Sequence, residues 1–250
     1  NWRGWWDYGT GALGDVGCHL IDIPFRTLNL KHPTDAECSI GSVFTKMWTP
    51  DYHPEGCPPS SLITINFKAT NKSKSPIKMT WSDGGIRPPH PDIIPANSDI
   101  GGRNSENGVL FIGDKGIIST NINDSSPLMP KLYLYDGTTE FGPENERGPL
   151  FPEPEYGHQH KWVDACKAGF NSEEHKNLTC SFDYAGPMTE TVLMGNLAIR
   201  SFMLRKEIGI GRTDYYARKK LIWDGDNMKI TNIEEANQFV TRNYRDGWKV

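Results

Sequence analysis

The sequence predicts an α+β fold: one large, mostly antiparallel open sheet with helices packed on one face. Three observations carry this reading. Strand-like segments follow one another through the middle of the chain with short links between them, which favours hairpin pairing over helical crossovers. In one of them Ile63, Ile65 and Phe67 alternate with Thr64, Asn66 and Lys68, the period of a strand with one wet face. The helical patterns gather towards the two ends instead of alternating with strands.

The first element runs from Ala12 to about Asn29, where Leu13, Val16, Leu20, Ile23 and Leu28 recur at helical steps and Pro24 kinks the helix or closes its first half. Strands are expected over Ala36 to Trp48, Leu62 to Thr70, Ile77 to Trp81, Gly108 to Ile112, Gly116 to Thr120 and Lys131 to Tyr135. Gly113-Asp114-Lys115-Gly116 reads as a tight hairpin. Two Pro/Gly-rich stretches, Pro88 to Gly102 and Phe141 to Glu155, break the pattern and read as lids, binding loops or plain surface excursions. A helix is expected over Tyr156 to Ala168, and another over Met188 to Leu204 with Pro187 at its start. A short strand follows, then a last helix capped by Asn232 and ending at Arg242. No internal repeat is visible, and the 250 residues are expected to form a single substrate-binding and oligomerisation domain.

Composition narrows the function classes. The 250 residues are 36% hydrophobic and 11% aromatic, with 27 Lys+Arg against 31 Asp+Glu for a net charge of −4. Mean hydropathy is −0.57, and no stretch reaches the roughly 18 apolar residues that a membrane helix needs. Without a long basic run, neither nucleic acid nor a membrane is the expected partner; small molecules and proteins remain. Cys18, Cys38, Cys57, Cys166 and Cys180 are scattered and odd in number, which favours free thiols over a disulfide framework. The opening at Asn1, with Trp2, Trp5, Trp6 and Tyr8 close behind, reads as cut from something longer. Cytoplasm and periplasm are both compatible with the sequence, and the sequon Asn177-Leu178-Thr179 is too short a match to decide.

Gly9-Thr10-Gly11-Ala12-Leu13-Gly14 has the letters of a dinucleotide fingerprint but not its context, since Arg3 to Tyr8 is no buried apolar strand. A Gly-rich turn entering a helix is the competing reading. Inside that helix Asp15, His19 and Asp22 fall at i, i+4 and i+7, on one face. A carboxylate one turn before an imidazole can fix its tautomer and raise its basicity, as a general acid/base requires; an exposed pair with no chemistry has the same spacing. Gly11, Gly14 and Gly17 weaken a helix by about 1 kcal/mol each if interior, so close approach of a ligand or another domain is expected there. His158-x-His160 with His175 beyond is a poor metal set, because imidazoles two residues apart diverge on a helix; no metal is expected.

The run Gly9 to Asp22, GTGALGDVGCHLID, resembles the G-G-G-x-L-x-D-x-G-x-H-x-x-D segment of the glucose–fructose oxidoreductase / inositol dehydrogenase / MocA family. Gly108 to Gly116 is similar to that family's hairpin, and His158 to Gly169 to its H-x-x-x-x-x-D-x-x-x-x-G helix. Trp81-Ser82-Asp83-Gly84-Gly85 and Asn243 to Trp248 resemble a branch common in sugar-degrading bacteria. Thr10 stands where the family usually has glycine.

The resemblance implies the C-terminal substrate domain of an NAD- or NADP-dependent enzyme, of the type seen in glyceraldehyde-3-phosphate dehydrogenase and dihydrodipicolinate reductase. The cofactor, and a catalytic lysine, would belong to an N-terminal Rossmann domain absent from these residues, so Gly9, Gly11 and Gly14 are not carried over as nucleotide ligands and the fragment alone is expected to be inactive. By the same resemblance His19 is the catalytic acid/base and Asp15 its orienting carboxylate, acting on a sugar or polyol hydroxyl. Arg3, Trp6, Asp83 and His158 are candidate substrate contacts, since an indole stacks on a sugar face and charged groups bond its hydroxyls. A homo-oligomer built through the open sheet face is expected. Two rivals share these residues: a glycoside-cleaving enzyme that recycles its nicotinamide, and a noncatalytic carbohydrate-binding or assembly protein.

Overall fold

The computed structural model describes residues 2–98, 100, 107–121, 130–141, 157–242 and 244–248. They fall into two compact units, residues 1–88 with 187–250 and residues 89–186. Helix and strand are mixed and, among the described residues, every strand pair is antiparallel, which is compatible with an α+β chain. Among the described residues the strands form three sheets of five, four and two strands, where a single large sheet is the sequence expectation.

The first unit opens with a 3-10 turn (Trp2–Gly4), followed by helices α1 (Gly11–Leu20) and α2 (Asp22–Thr27). The expected continuous helix breaks at Ile21, three residues before Pro24. Pro24 therefore lies in the first turn of α2, where a missing N–H costs little, and the Phe25 and Leu28 amides resume the ladder onto Ile21 and Pro24. The main sheet contains β1 (Asp35–Ile40), β2 (Ser61–Phe67), β3 (Ile77–Asp83), β10 (Leu221–Asp224) and β11 (Lys229–Ile230), in the order β11-β10-β1-β2-β3. The strand expected to run on to Trp48 stops at Ile40.

β2 has the predicted two faces. Ser61, Ile63, Ile65 and Phe67 are buried, while Asn66 on the other face donates to Asp35 Oδ1 at 2.5 Å and Lys220 lies 3.5 Å from the same oxygen. On the buried side helix α5 (Phe182–Phe202) crosses the sheet at Gly195. A Cβ there would collide with Leu13 of α1 and lie 3.5 and 3.6 Å from Ile63 and Ile65 of β2, so the missing side chain is what lets helix, helix and sheet meet. Pro187, expected to open this helix, lies inside it, because Tyr184 and Ala185 donate to the Ser181 carbonyl and start the first turn five residues earlier.

Two side-chain clusters tie α5 and the chain end to the sheet. Glu190, only 12% exposed, accepts from Trp223 Nε1 at 2.7 Å and lies 2.7 Å from His32 Nδ1. Asn232 accepts from the Ile222 amide at 2.9 Å and donates to the Lys220 carbonyl at 2.7 Å, so it serves the strand instead of capping a helix. The last helix is accordingly a short 3-10 helix (Glu234–Phe239), and its Asn237 brackets Ile230, accepting from its N–H at 2.8 Å and donating to its carbonyl at 2.9 Å. A hairpin of β8 (Lys206–Gly209) and β9 (Arg212–Asp214), not foreseen in the sequence, projects from this unit with nearly all its residues exposed.

The second unit contains the sheet β4 (Gly108–Ile112), β5 (Gly116–Asn121), β6 (Lys131–Leu134) and β7 (Thr139–Phe141), with α3 (His158–Ala168) and α4 (Glu173–Lys176). The predicted hairpin closes with the Gly113 amide on the Gly116 carbonyl at 3.0 Å. Part of the stretch predicted as a loop is core: Ile94 and Ile100 are buried with Ile117 and Tyr133, because isoleucines at these positions have apolar surface to remove from water. The second predicted loop lies, beyond Phe141, outside the described residues.

Gly195→Val should be among the most destabilising single changes, costing at least about 1–3 kcal/mol by overpacking, while Gly4→Ala, where a Cβ meets open space and φ is ordinary, should cost far less. Urea unfolding of both variants checks this; equal losses would mean that α5 does not depend on the notch.

Candidate functional site

The site residues are set by how the first nine residues fold back. The Trp6 amide donates to the Glu55 carbonyl at 3.0 Å and the Cys57 amide to the Gly4 carbonyl at 2.7 Å, which ties this segment to the 55–57 loop. A Cβ on Gly9 would lie 2.5 Å from the Arg3 carbonyl oxygen, so glycine is what permits the fold-back. Gly11 has φ +66°, a conformation favourable only to glycine, and a Cβ there would stand 2.8 Å from Cys57 Sγ. Gly14 is closed against the Thr10 side chain, and a Cβ on Gly17 would lie 3.1 Å from Leu13. All four glycines are thus accounted for by internal contacts, and among the described residues a 3-10 turn, not a strand, stands before them. These residues do not fit a dinucleotide.

The fold-back brings Arg3 over α1, and Arg3 Nε donates to Asp15 Oδ1 at 2.7 Å. Both side chains are about half exposed, so the pair contributes at most about 1 kcal/mol. Asp15 therefore engages Arg3; among the described residues no bond joins it to His19, although the one-turn spacing allows one. His19 is exposed one turn further along, and Asp22 lies 3.7 Å from Arg26.

At the start of α1 is a cavity of about 120 Å³ lined in part by Trp6, Thr10, Leu13, Cys57, Ser61 and Asp83; Arg3, Asp15 and His19 are not in its wall. Trp6 is half-buried and in place as a wall. Asp83 also lines the cavity, but its carboxylate is engaged by three donors: the Ser61 amide at 2.7 Å, Ser61 Oγ at 2.8 Å and Trp81 Nε1 at 2.7 Å. With most of its lone-pair capacity used, it is a clamp between β2 and β3 more than a free ligand for hydroxyls. His158 opens α3 in the second unit and is exposed; Trp6, Asp15, His19, Asp83 and Arg3 all belong to the first. Among the described residues no group of three or more His, Cys, Asp or Glu could hold a metal ion.

Two further residues, Cys57 in the cavity wall and Arg200 near Trp6, are not among the candidates read from the sequence. Burial and the nearby Asp83 carboxylate push the Cys57 thiol up to about 11, despite the opposing charge of Arg200. Arg200 lies on α5, its guanidinium carbon 4.3 Å from the Phe239 ring centre and 5.6 Å from that of Trp6. Burial and the like charge of Arg242 hold Arg200 below the usual arginine range, with Asp7 and Cys57 acting the other way. An arginine directly after the apolar run Leu197-Ala198-Ile199 is the one feature that could have singled it out.

No protein-family model matches the chain, and no curated protein matches it. The five cysteines are free, with Cys18, Cys166 and Cys180 exposed. Alkylation at pH 8 followed by peptide mass mapping should label these three well ahead of Cys57 and Cys38, whose thiol burial pushes to about 12. Both raised thiols keep their protons in the folded state, so their contribution to stability is present below about pH 9 and is lost as pH rises towards 11–12. A melting temperature that stays flat across that window would contradict the assignment.

Proposed function

We propose that this chain is the substrate side of an NAD- or NADP-dependent oxidoreductase that acts on a hydroxyl of a sugar, polyol or glycoside. The observation that supports it best is helix α1 of the first unit. On it an exposed imidazole, His19, follows an Arg3–Asp15 ion pair by one helical turn, and α1 runs on from a cavity walled by an indole. His19 lies six residues beyond Leu13 of the cavity wall, about 9 Å along the helix axis. A pyranose spans a good part of that length, with one face towards Trp6 and its hydroxyls towards the polar side of α1.

In this reading His19 accepts the hydroxyl proton as the carbon is oxidised. Arg3 and Asp15 act as one unit: the ion pair fixes both side chains on the polar side of α1, where they can bond substrate hydroxyls. A nicotinamide, when bound, supplies the hydride acceptor. The glycines of this chain do not hold it, so the proposal assigns it to a companion nucleotide domain. Asp83 is removed from the substrate contacts and kept as the clamp that shapes the cavity wall.

His19→Asn, tested with the nucleotide domain present, should lower turnover about 10²-fold or more while cofactor affinity stays within a factor of a few. Unchanged turnover over a sugar and polyol panel would overturn the role of His19. Product release without net nicotinamide reduction would redirect the reading to redox-recycled glycoside cleavage.

A further inference from the structure

The second unit has a cavity of its own. Trp162, Ala165, Cys166 and Gly169 fall at i, i+3, i+4 and i+7, so one face of α3 turns into this recess of about 320 Å³. The chain after α3 supplies the rest of the wall, chiefly Phe170, His175 and Phe182. That volume falls within the roughly 300–1,000 Å³ of small-molecule pockets. Trp162, Phe170 and Phe182 are 59%, 84% and 87% exposed. One exposed ring on a surface means little, but three around a single recess make an apolar patch on the order of a few hundred Å², the size that ordinarily has a binding role.

His175 gives this wall an oriented donor. Ser172 Oγ accepts from the His175 amide at 3.1 Å, and the Asn171 amide donates to His175 Nδ1 at 3.2 Å. A backbone amide can only donate, so Nδ1 is the acceptor and the ring proton is on Nε2, which has no hydrogen-bond partner among the described residues. Among the described residues the lining has no lysine, arginine or carboxylate to hold an ion of either sign. Besides the imidazole it offers the Ser181 hydroxyl and the weakly bonding thiols of Cys166 and Cys180, too little for the many hydroxyls of a sugar.

We infer that this cavity is a binding site for a neutral, planar aromatic molecule that bears a hydrogen-bond acceptor. The ligand stacks against the exposed rings and accepts from His175 Nε2–H. This goes beyond the proposed oxidoreductase reading and does not rest on it.

Iodoacetamide labelling of the chain at pH 8, read by peptide mass mapping, tests the inference: Cys166 and Cys180 belong to the cavity wall, and the exposed Cys18 of the first unit is the internal control. 2-Naphthol near its solubility limit should slow labelling of both cavity thiols about five-fold or more and leave Cys18 unchanged, as occupancy at several times Kd would. Cyclohexanol and D-glucose at the same concentration should protect neither thiol. Phe170→Ala and His175→Ala should each weaken the protection while the melting temperature stays native-like, and the wild-type comparison decides even if a variant does not fold. No protection by 2-naphthol, or protection that Cys18 shares, would overturn the inference. Equal protection by cyclohexanol would overturn the aromatic assignment. Thiols that become protected without any probe as protein concentration rises would give the cavity to a second copy of the chain and overturn the inference as well.

Discussion

The close crossing at Gly195 is the constraint from which the first unit is organised. Because α5 has no side chain at that point, Leu13 of α1 can enter the notch against Ile63 and Ile65. Once Leu13 points inward, the 100° step of the helix decides the rest: Gly17 and Leu20 follow it into the core, while Asp15, Cys18 and His19 must face out. The same register on α5 puts Ile199 one turn on, at the cavity wall, with Arg200 beside it. A packing requirement at one glycine thus decides which side chains of two helices are available for chemistry.

The polar groups of this unit divide into two kinds. Asp83, Glu190 and Asn237 are paired with donors and acceptors of the sheet and its flanks, so their effect is to hold strands and helix in register. Asn196 and Arg200 are placed with comparable care, yet part of their hydrogen-bonding capacity has no recorded partner. Arg200 is the clearer case, since the Phe239 and Trp6 rings lie near its guanidinium carbon, at 4.3 and 5.6 Å, and attract it without accepting a hydrogen bond from Nε.

What could be read in the sequence was what depends on neighbours along the chain. The alternation in Ile63 to Lys68, the Gly113–Gly116 hairpin and the apolar stripe beginning at Leu13 are local patterns, and each appears where expected. The failures involve partners far apart in sequence. Asn232 has the residue type and position of a helix cap, but the edge of β10 ten residues upstream offered it a better pair of backbone groups. Asp15 is spaced to meet His19, and a turn twelve residues earlier delivered Arg3 to it instead. Asp83 is a candidate substrate contact by residue type and resemblance, and nothing local shows that Ser61, twenty-two residues away, supplies it with two donors. Glycines chosen for internal contact are indistinguishable in sequence from glycines chosen for a phosphate.

The bracket that Asn237 places around Ile230 has a bearing on assembly. β11 is the last strand on its side of the sheet, and Ile230 turns its N–H and C=O away from β10. The Asn237 amide meets both groups as the backbone of a twelfth strand would, so that border is already sealed by a side chain. The opposite border, seven residues of β3, ends the order without such a seal among the described bonds. Of the two borders of this sheet, the one at β11 is thus closed to a further strand at Ile230 by the protein's own side chain.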